Sequence, residues 1–363
     1  MTENSYARAG VDTAAGDRAV ELMKAAVKAT HTPEVLGGVG GFAGLFDVSI
    51  LKDFKRPLLA TSTDGVGTKV AVAQALDIHN TVGIDLVAMI VDDLVVCGAE
   101  PLFLTDYIAT GSVVPERIAN IVAGIAEGCR QAGCALLGGE TAEHPGLLGP
   151  HEYDIAGAGT GVVEADRLLS ADLVRTGDVV IAMKSSGLHS NGYSLARYVL
   201  LGDGGPGLSA TIDELGHTVG EELIIPTRIY AKDCLALADA VEVHAMSHIT
   251  GGGVAANISR VLPQHLAVDI DRSTWTPQPV FTLIGGLGKV EQIELERTFN
   301  MGMGMIAIVP ATAVDEALRV LSARGVPSWV CGEIRVRREG ENGDAEAKGG
   351  KGGATTLIGS YAN

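Results

Sequence analysis

The chain has 363 residues, of which 47% are hydrophobic and 20% are charged, a composition typical of a globular enzyme or binding protein and unlike that of a disordered chain. It is long enough for two domains of ordinary size. The 44 acidic and 27 basic side chains give a formal net charge of -17. Because a surface of that sign repels phosphate groups and anionic lipids, we expect neither nucleic acid nor a membrane among the partners.

The cysteines and the N-terminal residues bear on the cellular compartment. The five cysteines are scattered and include no CxxC pair, so we predict neither a disulfide framework nor a structural zinc site. The first residues lack a basic segment followed by an apolar run, and the most apolar stretch, residues 84–104, is interrupted by four acidic residues. These features predict a cytoplasmic location.

The first half of the chain alternates predicted strands and helices. In chain order these are a helix at 17–30, a strand at 58–63, helices at 70–76 and 84–97, a strand at 102–109, a helix at 115–132 and a strand at 135–137. Around 164–178 the apolar periodicity lapses, and a new strand begins at Val179. We therefore predict an N-terminal domain at 1–168.

The second half repeats this alternation. Its predicted elements are a strand at 179–183, a helix at 193–201, a long helical region ending at 240, a strand at 241–246, a helix at 254–261, strands at 266–270 and 304–309, a helix at 314–324 and a strand at 329–335. The pattern predicts an α/β or α+β fold, with a C-terminal domain at 169–337. From residue 338 onward Glu, Gly, Lys and Ala dominate, so we predict that 338–363 is a disordered low-complexity tail, with the structure of 356–361 left open.

A glycine-containing loop, DGVGTK at 64–69, connects the strand at 58–63 to the helix at 70–76. Loops of this kind can collect phosphate oxygens with their backbone N–H groups. The loop matches neither the Walker A nor the GxGxxG pattern, and an ordinary strand-to-helix turn is the alternative. The carboxylate of Asp64 favours phosphate binding, since a carboxylate beside phosphates normally requires a magnesium ion between them.

Three carboxylates interrupt the apolar helix predicted at 84–97. Asp85 and Asp92 are seven residues apart and share a helix face, whereas Asp93 is rotated by about another 100°. Most of their neighbours are apolar, and buried carboxylates need a cation or a cluster of donors. A metal site and a solvated acidic stripe are both open interpretations of this pattern.

Two loops of the second half each place a histidine between a strand and a helix. They are GLHSNGYS at 187–194 and SHITGGG at 247–253. A single histidine is more often structural than catalytic, but two such loops with hydroxyls and glycines indicate a site for a polar, phosphorylated substrate. A further loop, GGETAE at 138–143, puts carboxylates after a strand, with an ordinary acidic loop as the alternative. Because GxSxG and HExxH motifs are absent, a serine hydrolase and a zinc protease are disfavoured.

Several of these segments belong to a longer series of motifs. The series is YARAGVD at 6–12, TDGVGTK at 63–69, GIDLVAM at 83–89, DLVV at 93–96, GAEPL at 98–102, GGETAE at 138–143, HSNGYSL at 189–195, PTRIY at 226–230, HITGGG at 248–253 and TFN at 298–300. In order and spacing it resembles the phosphoribosylformylglycinamidine cyclo-ligases, also called aminoimidazole ribonucleotide synthetases. The resemblance extends from about residue 5 to residue 335.

The resemblance implies a two-domain ATP-binding fold and a homodimer that pairs its N-terminal sheets. It also implies a reaction of purine biosynthesis, in which ATP and formylglycinamidine ribonucleotide give aminoimidazole ribonucleotide, ADP and phosphate. In that reaction the formyl oxygen attacks the γ-phosphate to form an imidoyl phosphate, and a nitrogen of the substrate then closes the ring. The implied cofactors are Mg²⁺ and ATP as co-substrate, with K⁺ as a further candidate.

The resemblance also implies roles for individual residues. It implies catalytic roles for Lys24, His189 and His248, and magnesium-linked carboxylates at Asp64 and Asp93. The implied contacts to nucleotide, substrate or phosphate are made by Gly40, Gly41, Asp64, Gly65, Gly67, Thr68, Lys69, Glu140, Asn191, Gly251 and Gly252. The chain departs from the family at Asp92, where the family commonly has asparagine.

Two other functions remain open from the sequence. The first is a related kinase of the same superfamily that phosphorylates a different small molecule. The second is a nucleotide-binding regulatory subunit without turnover. The presence of the carboxylates Asp64 and Asp93 and of Lys24 disfavours this second function.

Overall fold

The structure is a computed structural model that describes residues 13–38, 41–347 and 349–362. The chain divides into an N-terminal unit, Met1–Leu94 with Ala99–Asp166, and a C-terminal unit, Val95–Gly98 with Arg167–Asn363. The sequence-predicted boundary after residue 168 differs from this division by two residues. Among the described residues, no helix has the length and apolar character needed to cross a membrane.

The N-terminal unit is a four-stranded sheet with helices on one face. Its elements are α1 (Thr13–Lys28), β1 (Val35–Leu36), β2 (Leu45–Phe46), β3 (Pro57–Gly65), α2 (Val70–Leu76), α3 (Val82–Val95), β4 (Glu100–Thr110), α4 (Pro115–Ala132), β5 (Ala135–Glu143) and β6 (Tyr153–Glu164). The strand order is β3-β6-β4-β5, with β4 and β5 parallel and the other pairs antiparallel. Helix α4 begins at a proline, ends at Gly133 in the left-handed conformation, and buries the stripe Ile118, Ile121 and Ile125.

Strand β6 lies inside this sheet and was not predicted from the sequence. It contains Gly157, Gly159 and Gly161, and glycine is normally depleted in strands. The structure explains these glycines by the close approach of α3. A Cβ atom at Gly157 would lie 2.9 Å from Ile90 Cδ1, and one at Gly159 would lie 2.5 Å from Ile90 Cγ2. The residues that weaken the strand signal are therefore those that let the helix pack on the sheet.

The opposite face of the N-terminal sheet carries large apolar side chains that this chain leaves exposed. Leu59 on β3 is 64% exposed and Tyr107 on β4 is 41% exposed. In the segment before β3, Phe42 and Leu45 are exposed as well. A group of exposed large apolar residues of this kind is typical of an interaction surface.

The C-terminal unit is built on a six-stranded mixed sheet. Its elements are β7 (Val179–Lys184), α5 (Tyr193–Leu201), β8 (Thr211–Ile212), β9 (His217–Thr218), α6 (Val219–Leu223), α7 (Ala231–Ala240), β10 (Ala245–His248), α8 (Gly253–Arg260), β11 (Leu266–Asp271), α9 (Pro279–Gly288), α10 (Gln292–Thr298), β12 (Met303–Val309), α11 (Val314–Ala323), β13 (Ser328–Val336) and β14 (Ala354–Ile358). The strand order is β10-β12-β7-β13-β11-β14. A core cluster on one face joins Val180, Ile306 and Ile334 to Val254 and Ile258 of α8. The mixed α/β class agrees with the prediction.

The prediction of a disordered tail at 338–363 is wrong for its described part. Strand β14 pairs in parallel with β11 and completes the sheet edge. Beyond it, the ring of Tyr361 packs against Trp275 at 5.1 Å between centroids, and its hydroxyl donates to Glu296 Oε1 at 2.9 Å. The polar residues that precede β14 concealed a short segment, 354–358, that is apolar enough to complete a sheet.

Two further predictions of secondary structure are corrected. The long helical region ending at 240 is instead a two-stranded hairpin, β8 and β9, followed by the short helix α6, a connecting segment and α7. Helices α9 and α10 were not predicted. The strand predicted at 135–137 extends to Glu143, because β4 provides backbone partners along its full length.

Candidate nucleotide and phosphate-binding residues

A row of residues across the N-terminal sheet contains two carboxylates on one face. Asp64 of β3 lies opposite Gly157 of β6, and Gly157 lies opposite Asp106 of β4, which in turn pairs with Gly139 of β5. Paired residues project on the same side of a sheet. This is the side covered by α3, because a Cβ atom at Gly157 would meet Ile90. The row therefore places the carboxylates of Asp64 and Asp106 on the helical side of the sheet.

Asp106 is an acidic residue whose importance the sequence reasoning missed. Its Oδ2 atom is inaccessible to solvent and has no hydrogen-bond partner among the described residues. Burial raises the pKa of this carboxyl from 3.8 to about 7. The signal that could have found it is the alternation of β4, in which Leu104, Asp106 and Ile108 occupy successive inward positions.

The loop from Asp64 to Lys69 has the backbone of a tight turn. The N–H of Gly65 donates to Asp64 Oδ1 at 2.7 Å. Gly67 has a φ of +70°, a left-handed conformation that favours glycine. Gly67 and Thr68 are exposed, and Asp64 and Gly65 are half-buried. The exposed part of this loop is open to a ligand.

Lys69 differs from the other residues of this loop because its side chain points into the core. Its Nζ lies 2.8 Å from Asp85 Oδ1, and both side chains are fully buried. Burial lowers the pKa of the Lys69 ammonium, and the Asp85 carboxylate opposes that change. In this structure Lys69 anchors the loop to α3, so a direct contact with phosphate would require this ion pair to open.

The three carboxylates of α3 lie in different environments. Asp85 and Asp92, which share a helix face, are fully buried, so a solvated stripe is excluded for these two residues, whereas Asp93 is exposed. An exposed carboxylate can contact a ligand that arrives from solvent without a rearrangement of the helix. Burial therefore favours Asp93 over Asp92 as the residue that contacts a metal–nucleotide complex.

The other predicted residues of the N-terminal unit lie outside the DGVGTK loop. Lys24 is exposed on α1, where its Nζ is 2.5 Å from Glu21 Oε2. Glu140 pairs with Tyr107 in the row next to Asp106, so it projects on the opposite side of the sheet. Gly41 is exposed, and Gly40 lies outside the described residues.

The donor set of this unit fits a magnesium ion that is shared with phosphates. Within the described ranges, no group of three or more His, Cys, Asp or Glu side chains is arranged to hold a metal ion. Magnesium commonly takes only one or two protein carboxylates, with its remaining ligands from water and substrate phosphates. Asp64 and the exposed Asp93 are oxygen donors of the required kind, and their joint role stays a prediction.

In the C-terminal unit, the loop after β7 holds His189 in a restrained conformation. His189 is 1% exposed and has a φ of +63°, which is uncommon for a residue other than glycine. The backbone N–H of Ser186 donates to His189 Nε2 at 3.1 Å. Because Nε2 accepts a hydrogen bond, the neutral ring carries its proton on Nδ1.

Two asparagines that sequence reasoning did not assign hold the two histidine loops. Asn300 donates through Nδ2 to Gly187 O at 2.9 Å and accepts through Oδ1 from Gly302 N at 2.8 Å. Asn257 donates through Nδ2 to Gly253 O at 2.8 Å and to Thr250 O at 3.2 Å. Both side chains are almost completely buried. Asn300 belongs to a motif of the resemblance that carried no assigned role, and Asn257 lies on α8, outside the loop motif at 247–253.

The two histidine loops approach each other at Asn191 and Gly251. A Cβ atom at Gly251 would lie 3.5 Å from Asn191 Oδ1. Each loop ends at a glycine in the left-handed conformation, Gly192 before α5 and Gly252 before α8. His248 is the last residue of β10 and is 4% exposed. The start of a helix offers unpaired backbone N–H groups to an anion, and here two such starts follow adjoining loops.

Comparison with known proteins identifies the family. Residues 47–163 match the family model described as AIR synthase related protein, N-terminal domain, and residues 175–342 match the model for the C-terminal domain. The chain belongs to the AIR synthase family. Among AIR synthase relatives, the chain is 51% identical over 337 residues to the phosphoribosylformylglycinamidine cyclo-ligase of Desulfitobacterium hafniense (strain DSM 10664 / DCB-2), covering 93% of this chain and 98% of that protein.

Solved structures with the AIR synthase fold are more distant in sequence. The thiamine-monophosphate kinase from Stenotrophomonas maltophilia K279a has a TM-score of 0.64 at 18% identity, covering 94% of this chain and 97% of that chain. The hydrogenase maturation protein HypE, solved in complex with ATP, has a TM-score of 0.63 at 18% identity, with coverages of 89% and 87%. At these identities the likeness concerns the fold alone.

Proposed function

We propose that this protein is an ATP-dependent cyclo-ligase of purine biosynthesis that converts formylglycinamidine ribonucleotide into aminoimidazole ribonucleotide, with release of ADP and phosphate. The observation that carries the proposal is the 51% identity to a cyclo-ligase over 93% of the chain. Three sequence motifs of the family, TDGVGTK, HSNGYSL and HITGGG, include the loops described above. The proposed location is the cytoplasm, in keeping with the five free cysteines.

The chemistry requires activation of an oxygen that leaves poorly as it stands. Transfer of the γ-phosphoryl group of ATP to the formyl oxygen gives an imidoyl phosphate, and ring closure by a substrate nitrogen then expels phosphate. Bound Mg²⁺ would supply charge neutralisation of the triphosphate. The residues of the chain have the tasks of holding both substrates in line and of stabilising the charge that develops on the transferred group.

The two adjoining loops of the C-terminal unit fit the phosphate of the ribonucleotide. The starts of α5 and α8 provide backbone N–H groups, and the amide of Asn191 lies beside Gly251. His189 is buried and accepts a backbone hydrogen bond, so its role in this scheme is to fix the loop conformation. His248, at the end of β10, is the candidate for a proton transfer to or from the substrate.

The acidic residues of the N-terminal unit fit the magnesium–ATP complex. Asp64 follows a strand and opens the DGVGTK loop, and Asp93 provides a second accessible carboxylate. Lys24 is the proposed cation near the transferring phosphoryl group. Its exposed side chain pairs with Glu21, and exchanging that carboxylate for a phosphate requires little desolvation. A requirement for K⁺ is a further part of the proposal.

A homodimer is part of the proposed function. The uncovered face of the N-terminal sheet exposes Leu59 and Tyr107, which a second copy could bury. These exposed apolar side chains support a dimer in which the uncovered faces of the two sheets meet.

The experiment compares Asp93→Asn with Asp92→Asn in the presence of ATP, magnesium and formylglycinamidine ribonucleotide. We expect Asp93→Asn to lose most of its turnover and Asp92→Asn to remain active, because the family tolerates an amide at the latter position. Activity is followed through the diazotisable aminoimidazole across a magnesium titration, and circular dichroism checks the fold of both variants. An inactive Asp92→Asn beside a normal Asp93→Asn would contradict the assignment. Release of ADP without ring formation would instead indicate a related kinase.

A further inference from the structure

A cavity of about 550 Å³ opens in the C-terminal unit, at the end of the sheet where β7 ends and β13 begins. Its volume lies within the range of about 300–1,000 Å³ that is usual for small-molecule sites. It is formed by residues of β7, α11 and β13 and by the segments that follow β11 and precede β12. None of its lining residues belongs to the histidine loops at 187–194 and 247–253.

Both tryptophans of the chain, Trp275 and Trp329, line this cavity. Their ring centroids are 6.1 Å apart and their planes differ by 30°. Trp275 is held in place because its Nε1 donates to Met301 O at 2.8 Å, and Tyr361 packs edge-on against it. Rigid indole rings in the wall of a cavity provide a flat, polarisable surface that suits a planar aromatic ring.

The charge of the lining residues favours an anionic ligand. Lys184, the last residue of β7, lines the cavity, and no acidic side chain is among the lining residues. In a protein whose formal net charge is -17, a cavity with a cation and no carboxylate is a local exception. An ammonium group in this setting favours an anionic group on the ligand.

We propose that this cavity is a second ligand site that binds a planar heteroaromatic anion of the nucleoside monophosphate class. The base stacks on the exposed part of the indole wall, and its phosphate lies near Lys184. The proposal concerns a site separate from the histidine loops, and it stands or falls independently of the cyclo-ligase activity.

Occupancy of the cavity is connected to the first histidine loop by short contacts. The carbonyl of Lys184 accepts from the Tyr230 hydroxyl at 2.7 Å, and the next residue, Ser185, accepts from Gln278 through both its carbonyl and its hydroxyl. The Ser185 hydroxyl in turn donates to Gly187 O at 3.0 Å. A ligand that contacts Lys184 thus acts on the residues from which the His189 loop begins.

The test uses the intrinsic fluorescence of the full-length protein, because every indole in the chain is at this cavity. The probes are inosine 5′-monophosphate, inosine and inorganic phosphate. We expect the monophosphate to quench the indole emission with a saturable curve, inosine to bind at least about 10-fold more weakly, and phosphate alone to leave the emission unchanged. A site with a Kd of about 1 mM is about nine-tenths filled at about 10 mM ligand. Absence of saturable quenching by the monophosphate up to about 10 mM would therefore overturn the proposal.

Three variants locate the binding. Lys184→Gln should bind the monophosphate and inosine equally, Ser322→Phe should fill the cavity and abolish quenching, and Lys289→Gln, an exposed lysine outside the lining, should behave as the parent does. Circular dichroism and urea unfolding verify that each variant folds, and Lys184→Gln still provides the test if Ser322→Phe does not. Quenching that is the same in the parent and in Lys184→Gln would place the ligand elsewhere and refute the site.

Discussion

Replacement of Asp106 by asparagine should make the protein less sensitive to alkaline pH. Burial raises the pKa of this carboxyl from 3.8 to about 7, so the native state holds a proton that the unfolded chain has already released. Between these two pH values the native state binds more protons than the unfolded state, and stability therefore falls as the pH rises.

The size of the effect follows from the shift. The pKa of Asp106 differs by about three units between the unfolded and native states, which corresponds to about 4 kcal/mol of unfolding free energy. The parent protein has this stability at acidic pH and has lost it once the pH exceeds about 7. Asparagine has nearly the same shape and cannot ionise. We therefore expect Asp106→Asn to match the parent near pH 4 and to exceed its stability by up to about 4 kcal/mol at pH 8.

The assay is urea-induced unfolding, followed by circular dichroism, at a series of pH values for the parent and the variant. Asp154→Asn, which changes an exposed aspartate of the same sheet, provides the matched control and should keep the pH dependence of the parent. A difference between parent and Asp106→Asn that stays constant from about pH 5 to pH 8 would refute the reasoning, because it would show that Asp106 does not titrate in that interval.

Three further expectations follow from the described contacts. Lys69→Met should cost about 3–5 kcal/mol because it leaves Asp85 buried without its cation, and the double change Lys69→Met with Asp85→Leu should recover most of that loss in thermal unfolding. Gly251→Ala should fold normally but lose cyclo-ligase activity. Gly253→Ala should not fold, because its Cβ atom would lie 1.7 Å from a backbone oxygen. The solubility and turnover of the two variants distinguish these outcomes. Truncation after Arg338 removes β14, including the buried Leu357, and should lower the unfolding free energy by about 2–5 kcal/mol. An unchanged urea midpoint would contradict a structural role for the tail.

The periodicity of apolar residues predicted the helices that bury one continuous apolar stripe. The helices α2, α4 and α5 have the predicted bounds, because apolar stripes, a proline start and a glycine end mark them in the sequence. Strand β6 was missed since its glycines serve contacts with α3, which only the folded structure reveals. Strand β14 was missed because five residues that pair with β11 follow a long polar segment.

In the candidate site as well, the sequence predicted continuous loops but not contacts between residues that are distant in the chain. The sequence located the DGVGTK loop and the two histidine loops because each is a continuous run of residues with recognisable chemistry. It could not show that Lys69 points into the core, that Asn257 clamps the loop at 250–253, or that Asp106 shares a row with Asp64. Each of these facts depends on residues that are distant in the chain or on the direction of a side chain.

The most direct test of the proposed function is the stoichiometry of the complete reaction. Purified protein is mixed with ATP, magnesium and formylglycinamidine ribonucleotide, and ADP and aminoimidazole ribonucleotide are measured in the same sample. We expect the two products to form in equal amounts, and neither to form when the ribonucleotide is omitted. Steady release of ADP without aminoimidazole, or tight ATP binding with no product at all, would contradict it.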